Sequence, residues 1–214
     1  MGEQTGRLPA GVRIGYSAWM LFWVAVVLWA YGPANFFWLC NAAQFLLLWS
    51  VWREDRLILS SQAGVVVLIG AIWTADLLLA LGLGGRSLTG ITGYMFDPEF
   101  PLLARIVSLF HVGLPVFVLW LCVRLGYDHR GWWLQCGLAA VLLIAGYLLT
   151  DPVRNINYAV APFHIEQVWV PHGLYLLVLA AVVQPLILLL GHGLVVWLVG
   201  FWRGKAADVR GSIG

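Results

Sequence analysis

Two residues in this sequence are equipped for covalent chemistry, and both lie in oily surroundings. Cys40 sits in "NFFWLCNAAQ" and His111 in "ARIVSLFHVGLP". A thiol and an imidazole are the minimum kit for acyl transfer: the imidazole takes the thiol proton, and the thiolate attacks an ester carbonyl. Asn41, beside the thiol, and Tyr147 have the groups to orient the ring or to donate to an oxyanion. Asp76, Arg105 and Gln184 complete a set of uncommon polar side chains on apolar segments. An ionisable group in hydrocarbon costs at least ~3 kcal/mol, so such residues turn inward and find partners. Asp76 and Arg105, opposite in charge and similar in depth, are expected to pair.

The elements that must position these residues are membrane spans. Of 214 residues, 62% are hydrophobic and 10% charged, against about 25% charged in soluble domains. Six runs approach the ~20 apolar residues that a spanning helix needs, at 14–31, 34–52, 57–83, 100–125, 132–150 and 172–200. The expected fold is an all-α polytopic bundle of six transmembrane helices. It has a short segment 1–13 before the bundle and a tail 201–214 after it. Arg7, Arg13, Arg53, Arg56, Arg124, Arg130, Arg203, Lys205 and Arg210 fall on one side, and Arg86 and Arg154 on the other. The rule that cytoplasmic loops carry the positive charge then puts both termini inside and loops 84–99 and 151–171 outside. A bacterial inner (cytoplasmic) membrane is the expected location, with membrane lipids as neighbours. A net charge of +2 gives no reason to expect a nucleic-acid partner. Tryptophans such as Trp49, Trp52, Trp133 and Trp197 mark the interfacial belts and need no chemical role.

Placed by helical rise, the unusual residues gather in the outer half of the bilayer. Asn41 lies about 10 Å down the second span, Asp76 about 12 Å down the third, and Arg105 and His111 about 8 and 16 Å down the fourth. Tyr147 is within about 6 Å of the outer end of the fifth, and Gln184 about 18 Å down the sixth. The inner half holds Ser60, Ser61, Gln62, Gln135 and His192. Cys122 and Cys136 read as small buried hydrophobes. The five histidines include no i, i+4 pair, so no metal and no cofactor is expected. A haem held by His111 and His192 is disfavoured by their different depths. "GLGLGGR" is not a phosphate loop, because no strand precedes it and no Lys-Ser/Thr follows.

"NFFWLCNAAQFLLL", "SLFHVGLPVFVLW" and "GYLLTDPVRNINY" together resemble a family of uncharacterised bacterial six-helix membrane proteins. That pattern is in turn distantly similar to YwaF-type intramembrane lipid acyltransferases and hydrolases. The resemblance spans roughly residues 34–158. It implies six helices with cytoplasmic termini, a nucleophile at Cys40 and a base at His111.

Three functional readings follow. One is a lipid-ester acyltransferase or hydrolase built on Cys40 and His111, supported by Asn41, Asp76, Arg105, Tyr147 and Gln184. Another is a non-catalytic membrane subunit or scaffold of a larger complex, in which the same polar cluster locks helices. A third is a small-molecule or quinone pocket in the outer half, lined by Trp38, Trp73 and Tyr94.

Overall fold

The computed structural model of the chain describes residues 7–163 and 165–211, the last six by backbone alone. The first six residues of the N-terminal segment expected over 1–13, the last three residues of the tail and His164 lie outside the described residues. The described chain is helical and contains no strand.

Helix α1 spans Ala10–Tyr31 and stops at Gly32, whose φ of 73° ends the helix. A 3₁₀ turn over Pro33–Phe37 leads into α2, Leu39–Arg53. Glu54 then adopts a left-handed conformation (φ 53°), and Asp55 caps α3 by accepting from the Ile58 N–H at 3.0 Å. Helix α3, Arg56–Gly82, has 27 residues and is about 40 Å long. Helices α4 (Leu102–Val107) and α5 (Phe110–Leu125) run on from one another across a tight turn at Ser108 and Leu109. Helix α6 covers Gly131–Leu149. Helices α7 (His172–Val178) and α8 (Gln184–Gly211) are joined by a π turn. There the Gln184 N–H reaches back five residues to Leu179, because the following Pro185 has no N–H to keep the regular ladder.

Five stretches are long and apolar enough to cross a membrane: Ala10–Tyr31, Arg56–Gly82, Leu102–Leu125, Gly131–Leu149 and His172–Lys205. The sixth expected span, 34–52, is different. Its helical part has 15 residues, about 22 Å at 1.5 Å per residue, against a hydrocarbon core of ~30 Å. A 3₁₀ turn over Pro33–Phe37 precedes it, and the segment is not among the five stretches long and apolar enough to cross as one helix. Helix α1 also begins four residues earlier than the sequence suggested, and α8 runs well beyond residue 200.

Helix α3 is the hub, packed against α2, α5, α6 and α8. In hydrocarbon, close backbone approach takes the place of a hydrophobic driving force. Three glycines permit it. A Cβ on Gly191 would stand 2.4 Å from the Gly64 carbonyl oxygen, one on Gly131 would stand 2.6 Å from the Ser60 carbonyl carbon, and one on Gly70 would stand 2.4 Å from Pro115 Cγ. Trp23, Leu47, Leu59, Val118, Leu121 and Val195 fill the space around this hub.

Candidate functional site

Asp76 is 3% exposed and lies six residues before the end of α3. Loop 84–99 folds back onto it. Its carboxylate accepts from Ser87 Oγ at 2.6 Å, the Thr89 N–H at 3.1 Å, the Thr92 N–H at 3.2 Å and Thr92 Oγ1 at 2.5 Å. The Gly-rich start of the loop, with Gly84 and Gly85 at φ 68° and 92°, makes that reversal. Asp76 and Arg105 are therefore not an ion pair. Arg105 instead donates from Nη1 to the Met95 carbonyl at 3.2 Å, on the far side of the same loop. The expected pairing fails because four local donors from one loop satisfy the carboxylate better than a guanidinium on another helix.

His111 opens the first turn of α5. Its Nδ1 lies 2.9 Å from the Ser108 carbonyl, and its ring stacks on Trp73 and Phe110 at centroid distances of 4.8 and 4.0 Å. That bond fixes the tautomer with the proton on Nδ1. Tyr94 reaches into this neighbourhood beside Trp73, Ser108, Tyr31 and Cys40, and burial pushes its phenol up.

Cys40 and Asn41 make their hydrogen bonds elsewhere. The Cys40 thiol faces Asn41 Oδ1 at 3.8 Å, and Asn41 Nδ2 donates to the Asn35 carbonyl at 2.8 Å. No hydrogen bond joins Cys40 to His111 among the described residues. Residues 151–158 close over this turn. Arg154 donates to the Tyr31 carbonyl at 2.8 Å and to Asn35 Oδ1 at 3.3 Å. Asn157 donates to the Phe37 carbonyl at 2.7 Å and accepts from the Leu39 N–H at 3.0 Å, capping the start of α2 with a side chain 118 residues away. Asn157 holds φ at 53° to do this. Sequence reasoning gave Arg154 only as an outer positive charge and did not single out Asn157 or Asn35. The run "DPVRNINY" had turn-forming residues but no local sign of its partner.

The two remaining candidates stand apart. Tyr147 stacks on His172 at 4.7 Å. Gln184 sits at the π turn with a buried Oε1 that has no hydrogen-bond partner among the described residues.

A second polar cluster lies at the opposite end of the bundle. Gln62 donates to Gln135 Oε1 at 2.7 Å, and the Asp128 N–H donates to Ser60 Oγ at 2.8 Å. The Tyr127 hydroxyl is 2.8 Å from His192 Nδ1, and His192 Nε2 is 3.4 Å from His129 Nδ1. Outside the spans, Arg130 pairs with Asp128 and holds its carboxyl down to about 2. Nearby, Glu54 accepts from the Leu8 N–H at 2.8 Å and from Arg13, pinning the start of α1. Among the described residues, no group of three or more His, Cys, Asp or Glu side chains is placed to hold a metal ion.

The chain matches no known family model, no curated protein and no solved structure.

Proposed function

We propose that this chain is a non-catalytic integral membrane subunit or scaffold, with intramembrane polar residues that fasten loops to the helix bundle. The observation that carries this reading is the Asp76 carboxylate, which is fully engaged by Ser87, Thr89 and Thr92 of one loop. Three of the other candidates are likewise tied to backbone groups. His111 holds a backbone carbonyl, Asn41 holds the turn before α2, and Arg105 holds Met95. Acyl transfer requires the imidazole to take the thiol proton, and here each group bonds to its own close neighbour in sequence.

The partner side of the proposal rests on α8. Only 11% of the apolar window in the His172–Lys205 stretch that contains it is buried, against 50% for that of α3. Gly193, Gly200 and Gly204 fall on one side of α8, and nothing lies within 4 Å of a Cβ built on any of them. Such a smooth face suits a transmembrane helix of another chain.

Two measurements test this. In membranes, iodoacetamide should alkylate Cys40 at the same rate, within about twofold, with or without His111→Ala, because no thiolate is being generated. A drop of tenfold or more confined to Cys40, with Cys122 and Cys136 unchanged, would restore the catalytic reading. Cross-linking in membranes should capture the chain with a second polypeptide, and Gly200→Leu should reduce that product. Recovery of the wild type as a monomer alone would remove the subunit reading.

The proposed orientation has both termini in the cytoplasm and loops 84–99 and 151–171 outside, following the basic residues. Cysteine placed at Asp97 should react with an impermeant maleimide added to intact cells, and cysteine placed at Arg53 should not. The reverse result would invert the topology.

A further inference from the structure

The geometry points to a zinc-class metal site formed by His129 and His192 at the end of the bundle opposite loop 84–99. His129 is exposed in the loop between α5 and α6, and His192 is half-buried on α8, 63 residues further on. Their facing nitrogens, Nδ1 of His129 and Nε2 of His192, are 3.4 Å apart. Two imidazoles bound to one tetrahedral Zn²⁺ at 2.0–2.1 Å have nitrogens about 3.3 Å apart, by the tetrahedral angle. Two square-planar neighbours would need about 2.9 Å, so the spacing selects against a tetragonal Cu²⁺ geometry.

The outer ring of the site is also present. The Tyr127 hydroxyl lies 2.8 Å from His192 Nδ1. A protonated Nδ1 donating to that hydroxyl leaves the Nε2 lone pair facing His129. This is the arrangement by which a group behind a ligating histidine fixes its tautomer. Without metal, His129 Nδ1–H donates to that lone pair. On metal binding, His129 carries its proton on Nε2 instead, where the exposed ring exchanges with water. Both imidazoles stay neutral, and a rotation of the exposed His129 ring turns its lone pair toward the ion beside that of His192. The remaining two positions on the metal belong to water or an outside ligand. Among the described residues no third protein ligand converges there, and Asp128 is held by Arg130.

Gly191, next to His192, sets the register. It lets α8 touch the α3 backbone at Gly64, which places the imidazole over Tyr127. Binding would clip the loop between α5 and α6 onto α8, joining two segments that are distant in sequence.

The test uses the full chain in nanodiscs, carrying a Strep tag and no polyhistidine. Calorimetric titration with Zn²⁺ should find one site per chain. Co²⁺ should give the intense visible d–d absorption of a tetrahedral complex. His129→Ala, at an exposed position, should leave the melting temperature without metal unchanged and weaken Zn²⁺ binding at least tenfold. Tyr127→Phe should weaken it ~10-fold, in the range seen for loss of such supporting groups. Zn²⁺ should raise the melting temperature of the wild type and not that of His129→Ala. No saturable binding below millimolar Zn²⁺, or equal binding by wild type and His129→Ala, would overturn the proposal. So would an octahedral, weakly absorbing Co²⁺ spectrum.

Discussion

Asp76→Ala is expected to unlatch loop 84–99 and to cost on the order of 4 kcal/mol, since hydrogen bonds to a charged acceptor contribute roughly 1.5–3 kcal/mol each and do not add fully. The four donors converge on two oxygens that are almost wholly removed from solvent. Removing the acceptor strands the Thr92 N–H and hydroxyl, and Thr92 is 0% exposed. Asp76→Asn should do little better, because its amide N–H₂ would face N–H and O–H donors. Two measurements check this. Thermal unfolding in nanodiscs should move to lower temperature. Trypsin should cut after the exposed Arg86 far faster in the variant than in the wild type. The design also separates the latch from an ion pair. If Asp76 and Arg105 were partners, the double change to Ala and Leu would recover most of the loss. With the latch, the double variant stays as unstable as Asp76→Ala or worse. Recovery in the double variant would refute the latch.

Why one part of this was legible and another was not is a matter of where the partners lie. Spans could be read from composition, because a run such as "GVVVLIGAIWTADLLLALG" needs no tertiary information to be placed in hydrocarbon. Burial of Asp76 was legible for the same reason. Its partner was not, because depth along a helix does not say which way a loop folds. A signal was nevertheless present. Asp76 lies about 9 Å below the end of α3, and the next residues run "GLGGRSLTGIT", with flexible glycines followed by three hydroxyl side chains. A loop of that composition has the freedom to double back and the donors to satisfy a carboxylate. The lock made by Arg154 and Asn157 left no such trace, since its partners, three backbone groups and the Asn35 side chain, lie more than 115 residues away. Backbone groups look alike in every sequence. The short α2 is a consequence of that lock: Asn157 caps the helix at Leu39 and Asn41 holds the turn before it, so the chain from Pro33 to Phe37 winds as 3₁₀ instead of extending α2. His129 and His192 were set aside because no i, i+4 pair existed. That criterion detects ligands on one helix and misses a pair brought together by a crossing.

Gly191→Ala is expected to have the second large effect, and its cause lies in that crossing. The new methyl carbon would sit 2.4 Å from the Gly64 carbonyl oxygen and 2.8 Å from its carbon. Those atoms belong to helix backbone, so no rotamer change relieves the overlap, and α8 must move away from α3. Overpacking costs typically ~1–3 kcal/mol, and a clash with two rigid helices belongs at the upper end. Displacing α8 also carries His192 away from Tyr127, which now lies 2.8 Å from it. The variant should therefore lose both thermal stability and any Co²⁺ absorption from the His129–His192 pair. Gly137→Ala, in the interior of α6, is the control, because nothing lies within 4 Å of its Cβ position. It should be neutral within about 0.5 kcal/mol, as for surface positions away from special contacts. Melting curves of the two variants side by side decide the matter. Equal stability would mean that α8 does not cross α3 at Gly64. A destabilised Gly191→Ala that keeps full Co²⁺ absorption would mean that the crossing stands but does not position His192.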